Sequence, residues 1–287
     1  MIEKTKIGLD SKWGESSPFH EPALLAGFKP RANDVLITTA PKAGTTWMQQ
    51  ILHQMRTKGD DTFSSIFEVV PWLEFPRPDL SIEEQLAHYE QIPSPRIFKT
   101  HCTYAQTPSV DTVRIVLSSR DPRDCCISFY HHQQGLTEEA WQEKEIHFID
   151  AFDAFFERWL DYAAWFRNIQ SWWLHKEQQN VLWLRYEDMK RDLPEAVNRL
   201  SHFLAWPLTE RQRVKVLEHC SFDWMKARSS RFTTMAGQNK PHFKQGAFIR
   251  KGVVGDYKSL LSEAQEARIM AKAREMLAVD CLEFLDL

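Results

Sequence analysis

The spacing of apolar and polar positions changes several times along the chain, and each change marks an element. Val35, Leu36 and Ile37 form a short, β-branched apolar run that predicts a buried strand. After Pro41-Lys42-Ala43-Gly44-Thr45-Thr46, apolar residues return at Trp47, Met48, Ile51, Leu52 and Met55. That spacing is helical, so 35–55 predicts strand, tight loop and helix. Further strands are predicted at 96–101, 113–118 and 181–184. Helices are predicted from a capping box at Ser81, from Asp121-Pro122, and over 147–176, 187–204, 209–219, 221–228 and 262–279. Residues 1–32 predict an irregular lead-in, 63–78 an aromatic- and proline-dense loop, and 229–255 a second long loop. Alternating strands and helices predict one α/β domain spanning 1–287, with a central parallel sheet flanked by helices.

Ligands of such sheets bind beyond the carboxyl ends of the strands. Lys42 follows the first predicted strand, Lys99 and His101 the second, Arg120 the third and Tyr186 the fourth. Four strand ends thus bring cations, an imidazole and a phenol to one edge. Gly44 at a strand–helix junction lets backbone N–H groups and the helix N-terminus cradle an anion, with Lys42, Thr45 and Thr46 beside it. This reads as a phosphate-binding loop in a P-loop-nucleotide-kinase-like architecture. It is not the GxxxxGK[ST] loop, because the lysine precedes the glycine. Taken alone, the stretch also fits an ordinary Gly-Thr helix start.

Composition narrows the partners. The 287 residues are 43% hydrophobic and 26% charged, ordinary for a soluble globular chain. A net charge of −3 argues against a general nucleic-acid or anionic-membrane binder, so an anion site must be a local concentration of cations. The five cysteines, Cys102, Cys125, Cys126, Cys220 and Cys281, are odd in number and contain no CxxC pair. They predict reduced thiols without a disulfide framework or zinc site. A charged N-terminus and the lack of any apolar run near the ~20 residues of a membrane span predict a cytoplasmic protein.

Four separated motifs resemble those of cytosolic-type sulfotransferases, which use 3′-phosphoadenosine-5′-phosphosulfate (PAPS) and release its desulfated product, PAP. Pro41-Lys42-Ala43-Gly44-Thr45-Thr46-Trp47 resembles that family's PKSGTTW phosphosulfate loop, and Lys99-Thr100-His101 its KTH segment. Arg120-Asp121-Pro122-Arg123-Asp124, continuing to Ser128-Phe129-Tyr130-His131, resembles its 3′-phosphate motif. Arg250-Lys251-Gly252, continuing to Gly255-Asp256-Tyr257-Lys258, resembles its RKGxxGDWK signature. The resemblance implies that Lys42, Ala43, Gly44, Thr45 and Thr46 hold the 5′-phosphosulfate. It also implies that Arg120, Ser128, Arg250, Lys251 and Gly252 hold the 3′-phosphate, and that Trp47, Tyr186, Phe222 and Met225 hold adenine. His101 is then the general base, with Lys42 and Lys99 as catalytic cations and no metal required. Ala40, Ala43, Cys102 and Tyr257 depart from the family pattern, and of its dimer motif only Lys258 remains among Lys258, Ser262, Glu263 and Ala267.

The acceptor side is expected in the loops around 63–78, 130–148 and 229–249. Phe67, Trp72, Phe75, Tyr130, Trp141, Phe148, Phe232 and Phe243 are its candidate lining residues, suited to an apolar alcohol, phenol or glycolipid. Two other readings stay open at this level: an atypical nucleotide kinase, and a non-catalytic nucleotide-binding protein on the same fold.

Overall fold

Four parallel strands, β1 (Val35–Ile37), β2 (Ile97–Lys99), β3 (Arg114–Ser119) and β4 (Val181–Arg185), form the sheet in a computed structural model of the chain, in the order β2-β1-β3-β4. The structure describes residues 11–143, 150–233 and 242–287. Register pairs Ile37 with both Lys99 and Val116, and Ser119 with Arg185, so the carboxyl ends of all four strands meet at one edge.

Alternate strand residues enter opposite layers. Leu36, Phe98, Ile115, Leu117 and Trp183 point into one hydrophobic cluster. Val35, Ile37, Ile97, Val116 and Leu184 point into the other. Both faces are therefore covered, as a parallel sheet requires.

The helices follow the chain. α1 (Pro22–Gly27), α2 (Thr45–Thr57), α3 (Ile66–Val69) and α4 (Ile82–Gln91) precede β2. α5 (Pro122–Gln134), α6 (Glu138–Glu143), α7 (Phe152–Tyr162) and α8 (Ala164–Trp173) lie between β3 and β4. After β4 come α9 (Tyr186–Arg191), α10 (Leu193–Leu204), α11 (Glu210–His219), α12 (Phe222–Ala227) and α13 (Ser230–Thr233). α14 (Glu263–Met276) and α15 (Val279–Leu285) complete the chain. Apolar residues of α5, α7, α8, α14 and α15 cover the first layer, and those of α2, α10, α11 and α12 the second. Among the described residues, no helix is long and apolar enough to cross a membrane.

Several expectations are corrected. The lead-in is not wholly irregular: it holds a 3-10 turn at Ser11–Trp13 and α1, whose Leu25 joins the core. The helix expected over 147–176 breaks at Ala163, whose φ of 50° ends α7 before α8 begins, and 144–149 lie outside the described residues. The one expected over 187–204 is divided at Asp192, whose side chain caps α10. The last expected helix stops at Met276, and α15 follows it. The capping box at Ser81 forms as expected, with Glu84 closing it.

One buried ion pair fixes the foot of the sheet. Arg96, just before β2, meets Asp34, just before β1, through Nε at 2.9 Å and Nη2 at 2.5 Å, and both side chains are fully buried. Arg96 also donates to the carbonyl oxygens of Lys29 and Tyr89.

Candidate active site

The loop between β1 and α2 is held in its shape by neighbours on three elements. Lys42 and Gly44 both adopt left-handed backbone, with φ of 67° and 94°. At Gly44 a Cβ would lie 2.9 Å from Cδ2 of Tyr186, so both conformation and space demand glycine there. The Ala43 carbonyl accepts from Ser118 Oγ at 2.7 Å, which pins the loop to β3. Thr39 and Thr45 join hydroxyls at 2.6 Å across it. α2 starts at Thr45, so its first N–H groups, including that of partly exposed Thr46, face the loop's concave side.

Two lysines and two imidazoles meet above this loop. Lys42 Nζ lies 3.0 Å from Nδ1 of His132, a residue of α5, and 5.6 Å from the ring centre of Phe248. Lys99 Nζ lies 3.4 Å from Nε2 of His101 and 3.4 Å from the ring centre of Trp72. Burial, reinforced by Arg120 and Arg250, lowers the Lys42 pKa to about 7. Burial, with Lys42 adding repulsion and Glu74 opposing it, lowers Lys99 to about 7 as well. Burial and then the charge of Lys99 push the imidazole of His101 well below its usual range. The His101 ring gives its Nδ1 hydrogen to the Thr39 carbonyl at 2.7 Å, and its backbone N–H donates to Glu74 Oε1 at 2.9 Å. Because a carbonyl only accepts, the lone pair of His101 sits on Nε2, toward Lys99.

A second group of cations gathers where α5 meets the segment after 250. Arg120 Nη2 donates to the Val253 carbonyl at 2.8 Å, and Arg120 lies 3.3 Å from Asp124. Asp124 accepts from the backbone N–H groups of Gly255 at 2.9 Å and Tyr257 at 3.0 Å, tying that segment to α5. Asp256 pairs with Arg250 and, at 2.9 Å, with Lys251. Arg120 Nε is buried without a hydrogen-bond partner. Ser128 is partly exposed on the same helix, α5.

Aromatic rings adjoin these cations. Trp47 donates its indole N–H to the Cys220 carbonyl at 2.8 Å and meets Tyr186 edge-on at 5.5 Å. The guanidinium of Arg120 lies 4.7 Å from the Tyr186 ring centre. Gly252, at φ +61°, has Phe222 so close that a Cβ would lie 2.8 Å from Cδ2 of that ring. Lys190 Nζ is 5.9 Å from the ring centres of both Trp47 and Phe222, and Met225 is buried beneath in the second layer. Trp47, Tyr186 and Phe222 thus lie close to the cations of this region.

Of the expected lining residues, Phe67, Trp72 and Phe75 gather near Lys99 and His101. Trp72 stacks on Phe75 at 5.0 Å and meets the His101 ring edge-on at 5.1 Å. Phe67 and these two border a narrow cleft that also reaches Arg77, His88 and Tyr89. Phe243 stands 4.8 Å from His132 and 4.9 Å from Phe248. Trp141 donates to the Gln133 carbonyl at 3.2 Å, at the end of α5. Two expectations are corrected. Phe232 is fully buried against Phe63 in the second layer, and Tyr130 is buried among Phe152 and Phe155 with its hydroxyl donating to the Asp150 carbonyl at 2.7 Å. Both are core residues rather than open walls. Phe148 lies outside the described residues.

Sequence reasoning missed His132, Glu74, Lys190 and Phe248. For His132 a signal existed: it follows Ser128 by four residues on a predicted helix, so the two share a face. Glu74 had none, since its role depends on the backbone of His101 coming to it from another segment.

A family model described as the sulfotransferase domain matches residues 32–278. The chain is 32% identical over 259 residues to sulfotransferase 1A1 of Canis lupus familiaris, covering 86% of this chain and 84% of that protein. It is 31% identical over 260 residues to the amine sulfotransferase of Oryctolagus cuniculus, covering 85% and 80%. A mouse sulfotransferase solved in complex with PAP shares the fold, with a TM-score of 0.71, 24% identity and 93% of each chain covered. Retinol dehydratase, solved with androsterone and the inactive cofactor PAP, does so with a TM-score of 0.67, 22% identity, and 92% and 84% coverage. With a domain match spanning most of its length laid over a four-stranded parallel sheet whose strand ends carry the cations, this chain belongs to the sulfotransferase family of enzymes.

Proposed function

We propose that the chain moves the sulfuryl group of PAPS to the hydroxyl or amine of a small, apolar acceptor, with His101 as general base. The observation that carries this reading is the His101 imidazole, held by Thr39 with its Nε2 lone pair free beside Lys99. A neutral imidazole offers the lone pair a proton acceptor needs, and an anionic donor held between Lys42 and Lys99 would offset the charges that depress its basicity.

Atoms balance in one displacement. The acceptor oxygen forms a bond to sulfur while the bond from sulfur to the bridging phosphate oxygen breaks. The acceptor proton passes to His101 Nε2, and PAP leaves with the electron pair. Lys42 neutralises charge growing on the bridging oxygen, and the N–H groups at the start of α2 hold the 5′-phosphate. Arg120, Ser128, Arg250, Lys251 and the Gly252 backbone hold the 3′-phosphate, where guanidinium forks grip oxygens in pairs. Trp47, Tyr186, Phe222 and Met225 hold the base. The lysines supply the positive charge that a metal would otherwise bring. PAP in the solved fold neighbours supports the choice of donor.

Phe67, Trp72, Phe75 and Phe243 are the acceptor contacts in this reading, with Trp141 at the margin. Androsterone and retinol in the retinol dehydratase structures support an apolar alcohol. Five buried cysteines without a disulfide support a reducing compartment, the cytoplasm.

The test is calorimetric titration with PAP and AMP, followed by radiolabelled PAPS with an acceptor panel. The proposal expects PAP to bind at least about tenfold tighter than AMP, because the second phosphate meets its own cage. Equal affinities would remove the donor and the reaction together.

A further inference from the structure

Among the described residues, the Lys42 side chain hydrogen-bonds to His132 Nδ1 at 3.0 Å. That imidazole comes from α5, across the site from the Lys42 loop, and is flanked by the rings of Phe129, Phe243 and Phe248. None of the four sequence motifs includes it.

We propose that His132 is a positioning residue that keeps the Lys42 ammonium charged and aimed at the donor's 5′-phosphate. The proposal rests on the reading of Lys42 as a donor contact. An ammonium has three hydrogens to donate and nothing with which to accept. The Nδ1 lone pair of His132 therefore faces it, and the ring hydrogen sits on Nε2. One N–H of Lys42 stays with His132 while the others serve the phosphate, so the contact persists in the bound state.

The electrostatic setting explains why such help matters. Arg120 at the end of β3, Arg250 in the last loop, and Lys99 at the end of β2 all disfavour charge on Lys42. Cys125 of α5 is close and favours it only as a thiolate, but burial holds its thiol protonated. His101 faces the same cluster and stays neutral. His132 itself is held neutral by burial and by Lys42, Lys99 and His101, so it remains an acceptor. Removing that acceptor makes the lysine lose its proton at lower pH.

The test measures PAP affinity of the full chain at pH 6 and pH 8.5. At pH 6 Lys42 is largely protonated beside His132 and still about half protonated without it, so His132→Phe, which keeps ring packing, changes affinity by no more than about twofold. At pH 8.5 the same variant binds about tenfold more weakly than the wild type, corresponding to about one unit in the lysine's pKa. His132→Asn places an oxygen where Nδ1 stood and recovers most of the loss. In a Lys42→Met background His132→Phe has no effect at either pH. Parallel pH dependences, tighter binding by His132→Phe at pH 6, or an undiminished effect without Lys42 would each overturn the assignment. Wild-type protein that prefers PAP to AMP while these variants behave alike would sink this inference and leave the donor reading standing.

Discussion

The Nδ1 hydrogen of His101 is given to the carbonyl oxygen of Thr39 at 2.7 Å, which commits the lone pair to Nε2. A strand-end residue of one segment thus sets the tautomer of a strand-end residue from another. The bond joins the β1 and β2 ends directly, and any general-base role of His101 depends on it.

His101→Ala is therefore expected to lower kcat by about 10²–10⁴, the range for loss of a positioned base. PAP affinity should stay within about twofold, because the imidazole touches no phosphate in this reading. A variant retaining more than about a tenth of wild-type turnover would exclude the base assignment.

The lysines predict opposite pH trends for stability and for donor binding. Lys42 and Lys99 have folded pKa values of about 7, against 10.5 for the ordinary side chain. Between those values the unfolded chain binds more protons than the folded one, so the donor-free protein gains stability as pH rises from 7 toward 9. In the proposed reading donor binding requires the charged lysines, so PAP affinity is expected to fall over the same interval. Differential scanning calorimetry with and without PAP at pH 6.5, 7.5 and 8.5 should show the PAP-induced rise in Tm shrinking as pH increases. A constant rise would contradict the assignment.

Gly252→Ala should weaken PAP binding by about tenfold. The new Cβ would meet Phe222 at 2.8 Å, and a φ of +61° costs an L-residue about 1–2 kcal/mol. Fluorescence titration of the variant would read both the affinity and the Trp47 environment. An affinity equal to the wild type's would show that the ring moves aside without consequence.

Arg250→Ala should raise the KM for PAPS with little change in kcat, since its proposed contact is with a phosphate remote from the reacting sulfur. Steady-state kinetics at saturating acceptor decides the matter, and a fall in kcat alone would contradict the role.

Arg96→Ala should destabilise the fold by about 3–5 kcal/mol, the cost of leaving one member of a buried ion pair alone. Asp34 is the stranded partner. Urea unfolding measures the loss, and Asp34→Ala in the same background should return part of it.

The sheet and the cations at its strand ends were legible because each depended on short-range pattern. β1, β3 and β4 are apolar runs; Arg120 follows β3 at once, Tyr186 follows β4 at once, and Lys42 comes a short loop after β1. The loop needed Gly44 for its backbone, and the capping residues Ser81 and Asp121 marked their helices. What escaped was set by contacts distant in sequence. Ala163 carries no glycine or proline signal, yet tertiary packing turns its backbone to φ 50° and breaks a helix there. Phe232 and Tyr130 lie in segments of pocket-like composition, but neighbouring rings draw both into the core. Glu74 meets His101 only because the segment before α4 lies alongside β2, where the Leu73 N–H donates to the Lys99 carbonyl at 2.8 Å.

Asp256 holds both Arg250 and Lys251. On the proposed donor reading, a 3′-phosphate meets cations that already have a counter-ion, so it exchanges one anion for another instead of creating ion pairs from bare charges. The net gain is a difference between two anions, smaller than the cations alone would give. On that reading the pre-formed pairs temper the grip on spent nucleotide, which favours its exchange for fresh donor.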